Sequence, residues 1–321
     1  MSLNAAAHGI ARQLVARAAA LGCEVLETAR VQVVDCGVRG RGGVDAGILM
    51  ARAALAGLGD VAILPAAIDA GTVDEWPDCP WPLVEARSAA PVAACLAAQC
   101  AGWKVESPGF FALASGPVRA AIGREAIYDT IGMRERPTVA VGVLESARLP
   151  PAEACLGLAA DAGVRPEALT LLVARTASPA GTVQVAARAL ETALHKLLDV
   201  GFDVSRIRAG VGRAPLPPVP PGDLAAVGRT NDAILYGSHV VLEVSGPEAD
   251  LTAVGPQAVS LAAPAHGTPF LTLFDLAGRD FYAVDPALFA PARLDLVSLE
   301  TGRLHRFGRL EPELVRRSFS G

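Results

Sequence analysis

Apolar and polar positions alternate along this chain in a way that predicts strands and helices in turn. Short apolar runs, typical of buried strands, lie at 32–38, 61–64, 110–114, 138–144, 169–174 and 239–244. Amphipathic or alanine-rich stretches predict five helices. One ends near Gly22, one follows a capping Asp45, and three cover 91–101, 151–162 and 183–198. This succession of strands and helices predicts an α/β fold.

The length of 321 residues favours two domains. We place an N-terminal α/β domain at about 1–135 and a C-terminal α/β domain at about 136–321, with segments that can interleave. The prolines of residues 214–222 predict a linker or a rigid wall rather than a helix or a central strand. The tryptophan- and proline-rich loop at 69–82 is expected either to line a cleft or to cover the core.

Composition and charge exclude several classes of protein. Hydrophobic residues make up 52% of the chain and aromatic residues 5%, so alanine, valine and leucine must form most of the core. The net charge is -5 and no run of basic residues indicates nucleic-acid binding. No apolar stretch predicts a membrane span or a signal peptide. Six cysteines without a CxxC pair and five dispersed histidines predict free thiols, no metal site and a cytoplasmic protein.

Polar residues recur along the helix predicted at 183–198 at spacings of four, three and four: Gln184, Arg188, Glu191 and His195. At about 100° per residue they share one stripe beside an apolar face. A carboxylate beside a guanidinium at the edge of a buried face is a candidate acid/base site. The same spacing is also typical of a solvated ion pair that contributes only about 0.2–0.5 kcal/mol.

A glycine-rich turn follows the first predicted strand, where Gly40, Gly42 and Gly43 lead into a helix. Backbone N–H groups at the helix start, with Arg39 and Arg41 beside them, form a candidate anion site. The glycine spacing fits neither GxGxxG nor GxxxxGK[ST], so it predicts neither a dinucleotide site nor a P-loop. A tight turn that needs the backbone freedom of glycine is the alternative interpretation. The end of the chain predicts a hairpin with its turn near residues 301–302.

Five blocks in this order together resemble methenyltetrahydromethanopterin cyclohydrolase: CGVRGRGGVDAG, ASGPVRA, VARTASPAGTVQVAARALETALHKL, TNDAILYG and DFYAVDPALFAPA. They run from Cys36 to Ala292. Two features depart from the family pattern: Arg175 stands where a proline is usual, and AHGTPF replaces a longer Ser- and Tyr-containing segment around Pro269. Neither departure touches the residues of the predicted helix.

The resemblance implies an enzyme of one-carbon metabolism that reversibly hydrolyses N5,N10-methenyltetrahydromethanopterin to the N5-formyl compound. It implies two α/β domains with the pterin in a cleft between them, a homotrimer, and neither a metal nor a redox cofactor. In that family an arginine and a glutamate three residues apart act in catalysis, and they match Arg188 and Glu191. We therefore expect Glu191 to serve first as general base and then as general acid, adjusted by Arg188.

The candidates for substrate binding are Gly42, Gly43, Ser115, Gly116, Thr176, Ser178, Gln184, His195, Thr230, Asn231 and Asp232. Thr176 and Ser178 precede the key helix, and residues 230–232 are expected near a strand entrance, where amide and carboxylate groups can pair with a pterin. Turn formation and helix capping are the alternative roles for these residues.

Two other functions fit the same pattern. One is a noncatalytic pterin carrier or sensor that keeps the fold without turnover, an alternative that Arg175 leaves open. The other is a cyclohydrolase that acts on a related reduced folate. Turnover of the methenyl substrates separates all three possibilities.

Overall fold

The computed structural model describes residues 2–66, 76, 78–100 and 102–320. The chain forms two compact units, each assembled from two segments. The first comprises Met1–Asp60 and Val92–Gln184, and the second comprises Val61–Pro91 and Val185–Gly321. The α/β class with two domains is confirmed. These units do not follow the predicted border between residues 135 and 136, because strands from both sides of that border pair in one sheet.

Strands and helices alternate through most of the chain. The strands are β1 (Glu24–Thr28), β2 (Val31–Asp35), β3 (Gly59–Leu64), β4 (Leu83–Ser88), β5 (Trp103–Ser107), β6 (Phe110–Ser115), β7 (Ala140–Glu145), β8 (Leu169–Ala174), β9 (Ile207–Pro215), β10 (His239–Val244), β11 (Arg293–Ser298) and β12 (Leu304–Gly308). The α-helices are α1 (Leu3–Ala16), α2 (Val44–Ala54), α3 (Val118–Ile122), α4 (Ile127–Ile131), α5 (Ala152–Asp161), α6 (Pro179–Ala186), α7 (Ala189–Asp199), α8 (Asp223–Leu235), α9 (Glu248–Val254), α10 (Phe270–Leu276) and α11 (Pro312–Ser320). A π-helix covers Val92–Gln99, and short 3₁₀ turns lie at Pro166–Ala168, Val204–Arg206, Gly255–Gln257, Ser260–Ala262, Phe281–Ala283 and Pro286–Leu288.

A six-stranded mixed sheet forms the centre of the first unit, in the order β1-β2-β8-β7-β6-β5. Strands β2, β8 and β7 are parallel, whereas β1, β6 and β5 join by antiparallel pairing. The carboxyl ends of β2, β8 and β7 therefore lie at one edge of the sheet. In α/β proteins this is the edge that commonly binds ligands.

Helices cover both faces of this sheet, and successive strand residues alternate between the two layers. Val34 and Leu172 pack with α1 and α2 on one side. Their neighbours Val33 and Leu171 pack with α5 on the other. The near-continuous apolar runs of β2 and β8 thus reflect burial on both faces, as is usual for parallel strands.

The second unit contains the sheet β12-β11-β10-β9-β4-β3. Strands β10 and β11 are parallel, and β9 pairs antiparallel with both β10 and β4. Helices α8, α10 and α11 share a core with large side chains that include Tyr236, Phe270 and Phe319. The hairpin predicted near residue 301 is confirmed as β11 and β12.

The proline-rich segment and the loop predicted at 69–82 both belong to the second unit. The proline-rich segment begins inside β9, because Ala214 and Pro215 pair with Val84 and Leu83 of β4. Pro215 is tolerated because it is the last residue of the strand. Most of the loop predicted at 69–82 lies outside the described residues. Within its described part, Trp76 is buried and packs in the aromatic core of the second unit.

Candidate active site

A carboxylate and two donors meet at the edge of the first unit where the parallel strands β2, β8 and β7 end. Glu145 is the last residue of β7, opposite Ala174 at the end of β8. The hydroxyl of Thr176 donates to Oε1 of Glu145 at 2.6 Å, and Nε2 of Gln184 donates to Oε2 at 3.4 Å. The structure thus brings two predicted site residues, Thr176 and Gln184, together around Glu145, which is not among the predicted ones.

Ser178 organises the turn between β8 and α6. Its Oγ accepts a hydrogen bond from the nitrogen of Gly181 at 3.0 Å and donates to the carbonyl of Arg175 at 2.8 Å. These contacts cap the helix that begins at Pro179. Gly37 lies so close that a Cβ atom there would come within 2.5 Å of Ser178 Oγ. Ser178 therefore has the capping role given above as the alternative to substrate binding.

The glycine-rich turn is built around the carboxylate of Asp35, the last residue of β2. Oδ1 accepts from the nitrogens of Gly37 and Val38 at 2.9 and 2.6 Å, and Oδ2 accepts from those of Arg39 and Gly40 at 2.8 and 3.1 Å. The first N–H groups of the turn are thus occupied by a carboxylate of the protein itself, so they are not donors to a bound anion.

Gly42 and Gly43 follow in the same turn. Gly42 donates its N–H to the carbonyl of Gly22 at 2.9 Å and has a left-handed φ of 58°, which favours glycine. Gly43 is the residue before α2. The tight-turn interpretation accounts for Gly42, whereas Gly43 remains a candidate at the start of the helix.

Ser115 and Gly116 lie away from the Glu145 edge. Strand β6 is antiparallel to β7, and Ser115 pairs opposite Val143 in the middle of that strand. A Cβ atom at Gly116 would come within 3.3 Å of backbone atoms of Val141 and Val143. The structure therefore does not bring Ser115 and Gly116 together with Thr176 and Gln184 at the carboxyl end of β7.

The single helix predicted at 183–198 is two helices, and this prediction was wrong. Helix α6 ends at Ala186 and α7 begins at Ala189, with Ala187 and Arg188 between them. The chain passes from the first unit to the second between residues 184 and 185. Gln184 therefore does not share a continuous helical stripe with the other three residues. Arg188 is the residue before α7 and Glu191 lies in its first turn.

The side chain of Glu191 is buried without a polar partner among the residues that the structure describes. Its exposed fraction is 5%, and no hydrogen bond or ion pair joins its carboxylate to any residue that the structure describes. Arg188 has an exposed fraction of 7%. A carboxylate on a largely buried residue, with no partner among the described residues, is a candidate for a catalytic position.

Helix α7 is held against β9 by a close approach to glycine. A Cβ atom at Gly212 would come within 2.5 Å of the nitrogen and 2.9 Å of the Cα atom of Leu190. The first turn of α7, which contains Glu191, therefore rests on a strand position without a side chain. This contact fixes where the catalytic candidate lies relative to the sheet of its own unit.

His195 occupies the solvent side of α7. Its side chain is 41% exposed, and Nδ1 lies 3.3 Å from Oδ2 of Asp199. Glu191 and His195 are four residues apart on one helix, yet Glu191 is buried while His195 is half-buried. The structure gives His195 the position of a helix-surface ion pair, which is usually a weak interaction.

Residues 230–232 lie inside α8 and not at a strand entrance, so this prediction was wrong. The hydroxyl of Thr230 donates to the carbonyl of Ala226 at 2.8 Å, and Nδ2 of Asn231 donates to that of Val227 at 2.8 Å. These bonds return to the preceding turn of their own helix, as is common for such residues.

Asp232 joins α8 to α10. Its Oδ1 accepts from the nitrogen of Phe270 at 2.8 Å, so it satisfies a donor at the start of α10. Burial raises the pKa of Asp232 to about 6. Its contacts and position give Asp232 a structural role within the second unit.

The sequence reasoning missed Asp35 and Glu145. Both are acidic residues at the carboxyl end of a buried parallel strand. An acid that ends an apolar run and precedes a turn is a signal that can be read from the sequence, as in VQVVDCG and AVGVLES. The helical spacing predicts polar residues of α6 and α7 as site residues instead.

Comparison with known proteins decides the family. The family model described as cyclohydrolase (MCH) matches residues 2–319. The chain belongs to this cyclohydrolase family. A methenyltetrahydromethanopterin cyclohydrolase of Methylobacterium sp. (strain 4-46) is 44% identical over 324 residues, with 99% of this chain and 98% of the relative covered. The proteins of that name from Methylobacillus flagellatus and Methanosarcina barkeri are 38% and 34% identical, again over 99% of this chain and 95% and 98% of theirs.

The resemblance drawn from five sequence blocks is thus confirmed, and it extends to both ends of the chain. Within the described part of this cyclohydrolase-family chain, no helix is long and apolar enough to cross a membrane. No disulfide joins any of the six cysteines, all of which belong to the described part of the chain, in agreement with the sequence-based prediction.

Proposed function

We propose that this chain catalyses the reaction for which its relatives are named, the reversible hydrolysis of N5,N10-methenyltetrahydromethanopterin to the N5-formyl compound. The observation that supports it most is Glu191, a residue with 5% exposure whose carboxylate has no hydrogen-bond or ion-pair partner among the described residues. In this proposal Glu191 is the general base and then the general acid, and Arg188 adjusts its charge state.

The chemistry needs one group that can carry a proton. The methenyl carbon is bonded to two nitrogens and already bears positive charge, so it needs little further activation. Water attacks that carbon while Glu191 takes one of its protons, and the same proton then passes to N10 as the carbon–N10 bond breaks. The remaining hydroxyl proton leaves to solvent as the formyl C=O bond forms, so the reaction releases one proton overall. The formyl group stays on N5. A positioned acid/base residue of this kind typically contributes about 10²–10⁴-fold in rate.

Arg188 supports the step by its position before the first turn of α7. Its guanidinium belongs to a residue with 7% exposure that directly precedes the turn carrying Glu191. The reaction transfers no electrons, and its carbon is electrophilic without a Lewis acid. We therefore propose that neither a redox cofactor nor a metal takes part.

The remaining parts of the proposal concern binding and assembly. We include Thr176 and Gln184 in the substrate-binding set because they surround Glu145 at the ligand-binding edge of the first unit. Gly43 stays in that set as a candidate at the start of α2. We also propose a cytoplasmic homotrimer, and light scattering of the purified protein should then give three times the chain mass of 32.9 kDa.

Loss of the methenyl chromophore tests the function directly. Purified protein is mixed with methenyltetrahydromethanopterin and, separately, with methenyltetrahydrofolate. Turnover of the first is expected. Tight binding without turnover would favour the noncatalytic carrier or sensor, and turnover of the folate alone would replace the proposed substrate.

The variant Glu191→Gln tests the mechanism. Its kcat should fall by at least about a hundredfold while the substrate still binds, because the amide cannot take the proton from water. Glu153→Gln is the matched control, since Glu153 also lies in the first turn of a helix but is exposed. Unchanged turnover in Glu191→Gln would remove Glu191 from the mechanism and leave the function intact.

A further inference from the structure

Glu145 has the setting of a ligand-binding carboxylate. It is the last residue of a parallel strand, half-buried, at the edge where sheets of this kind bind ligands. Each of its two oxygens already accepts one hydrogen bond from a neutral side chain, Oε1 from Thr176 and Oε2 from Gln184. The two donors fix the plane of the carboxylate, and each oxygen keeps a further lone pair for another donor.

The charge of Glu145 is not balanced within the part of the chain that the structure describes. Its recorded contacts are the two neutral donors, and no arginine, lysine or histidine of the described residues pairs with it. Thr176 and Gln184 are themselves buried, at 5% and 1% exposure. A half-buried carboxylate held rigidly without a cation is suited to a ligand that offers two donors side by side.

We infer that Glu145 binds the 2-amino-4-oxopyrimidine edge of the pterin through its N3–H and 2-amino groups. This inference rests on the proposed function, since it names the part of that substrate which the first unit recognises. The N3–H and 2-amino donors point in nearly the same direction, as the two donors of a guanidinium do, so both carboxylate oxygens can accept at once. Thr176 and Gln184 act as positioning residues that hold the carboxylate in the required plane.

The pair pterin-6-carboxylate and lumazine-6-carboxylate tests this recognition. The second compound carries a carbonyl oxygen where the first carries the 2-amino group. Binding is followed through the fluorescence of the ring. The unmodified protein should bind the pterin about ten- to a hundredfold more tightly, because a carboxylate that faces the 2-oxo group loses one charge-assisted bond and gains a repulsive contact.

Glu145→Gln should remove or reverse that preference, because its amide NH₂ can donate to the 2-oxo group of the lumazine. The same variant should raise KM for the methenyl substrate at least about tenfold, with kcat within a few-fold of the unmodified enzyme. Thr176→Val should keep part of the preference, since the carboxylate remains but loses one positioning bond. Glu27→Gln, an exposed strand glutamate in the same unit, is the control and should change neither quantity.

A purely structural role for Glu145 predicts a different result. Binding of both ring compounds would then weaken equally in Glu145→Gln, with the pterin preference intact, and that result would overturn the inference. An unchanged KM would overturn it as well, including when ring binding is too weak to follow. Turnover of the methenyl substrate without a preference for the pterin ring would reject the role of Glu145 but agree with the proposed function. A preference for the pterin ring without turnover would reject the proposed function but agree with the role of Glu145.

Discussion

Gly212 of β9 lies directly against Leu190 of α7: a Cβ atom at Gly212 would come within 2.5 Å of the Leu190 nitrogen. Neither Gly212 nor its neighbour Gly210 has a left-handed φ. The glycine at 212 is therefore required by the space it leaves for α7 and not by its backbone conformation. Because Glu191 follows Leu190, this contact connects a strand position to the proposed catalytic carboxylate.

Gly212→Ala should lower activity by displacing the start of α7. The added methyl group meets backbone atoms, which can give way only if the helix moves, and such overpacking costs about 1–3 kcal/mol. A displacement of several tenths of an ångström at Glu191 should reduce kcat about tenfold or more, with a smaller change in KM. Steady-state kinetics with the methenyl substrate measure both quantities.

Gly210→Ala is the matched control on the same strand. A Cβ atom there would meet the ends of two flexible side chains, Leu190 Cδ1 and Leu242 Cδ2, both at 2.7 Å. Rotation of these side chains can relieve the contact without moving the helix, so kcat should stay within a few-fold. Equal losses in both variants would contradict the proposed coupling between Gly212 and the helix backbone.

The break between α6 and α7 could not be predicted from the sequence. The stretch VQVAARALETALHKLL contains neither glycine nor proline and is rich in strong helix formers, so local preference favours one continuous helix. The chain nevertheless changes from one compact unit to the other within this stretch. Long-range packing therefore overrides the local preference, and no local signal marks the residues 187–188 where the helix stops.

The pattern was more informative about the sheets. The apolar runs that end near Glu145 and Ala174 predict strands, and the structure confirms them as β7 and β8. Their neighbours in the sheet could not be read in the same way, because β2 and β8 pair across more than a hundred residues. The sequence predicts Thr176 as a site residue but not its partner Glu145, because their contact depends on the order of the strands in the sheet.

Asp232 should make stability depend on pH. Burial raises the pKa of this carboxyl from 3.8 to about 6 in the folded chain. Between these values the folded state holds the proton that the unfolded state has released, so stability falls as pH rises through about 6. The difference corresponds to a cost of about 3 kcal/mol above that pH, which is absent below about 4.

Asp232→Asn removes this cost while its amide oxygen can still accept from Phe270. The melting temperature of the variant, relative to the unmodified protein, should therefore be higher at pH 7.5 than at pH 4.5. Asp45→Asn, which replaces an exposed acid, should show the same small difference at both values. A melting-temperature difference for Asp232→Asn that does not change with pH would contradict the role of burial at this position.

Asn4 should be essential for the stability of the first unit. It is fully buried; its Nδ2 donates to the carbonyl of Pro117 at 2.7 Å, and its Oδ1 accepts from the nitrogen of Val141 at 2.9 Å. Strand β6 pairs with β7 only from Val143 onward, so Asn4 supplies the partner that the sheet does not give Val141. Asn4→Leu would leave the buried N–H of Val141 without a partner, whereas the carbonyl of Pro117 would keep the N–H of Ala120 at 3.0 Å.

An unpartnered buried group costs about 1–3 kcal/mol, so urea unfolding of Asn4→Leu should show a loss of at least about 1–3 kcal/mol of stability. Asn231→Leu is a suitable comparison, because the Asn231 amide returns to the carbonyl of Val227 in its own helix. That change should cost less than about 1 kcal/mol. Similar losses of stability in the two variants would contradict the importance of the long-range hydrogen bonds of Asn4.

Asp35 should keep the glycine-rich turn closed. Its two oxygens accept four backbone N–H groups, from Gly37, Val38, Arg39 and Gly40. Asp35→Asn replaces one oxygen by an NH₂ group that must face two N–H donors, so about half of the contacts are lost and replaced by repulsion. A loss of about 1–3 kcal/mol of stability is expected, concentrated in the turn itself.

Limited proteolysis with trypsin can locate this change, because Arg39 and Arg41 are exposed residues of the turn. In Asp35→Asn, mass spectrometry should show cleavage after these two arginines well before the rest of the chain is cut, since local opening exposes the backbone to the protease. The exposed acid variant Asp45→Asn, a few residues further along, should cleave there at the rate of the unmodified protein. If cleavage in Asp35→Asn instead begins throughout the chain, the carboxylate stabilises the unit as a whole and the turn has no separate dependence on it.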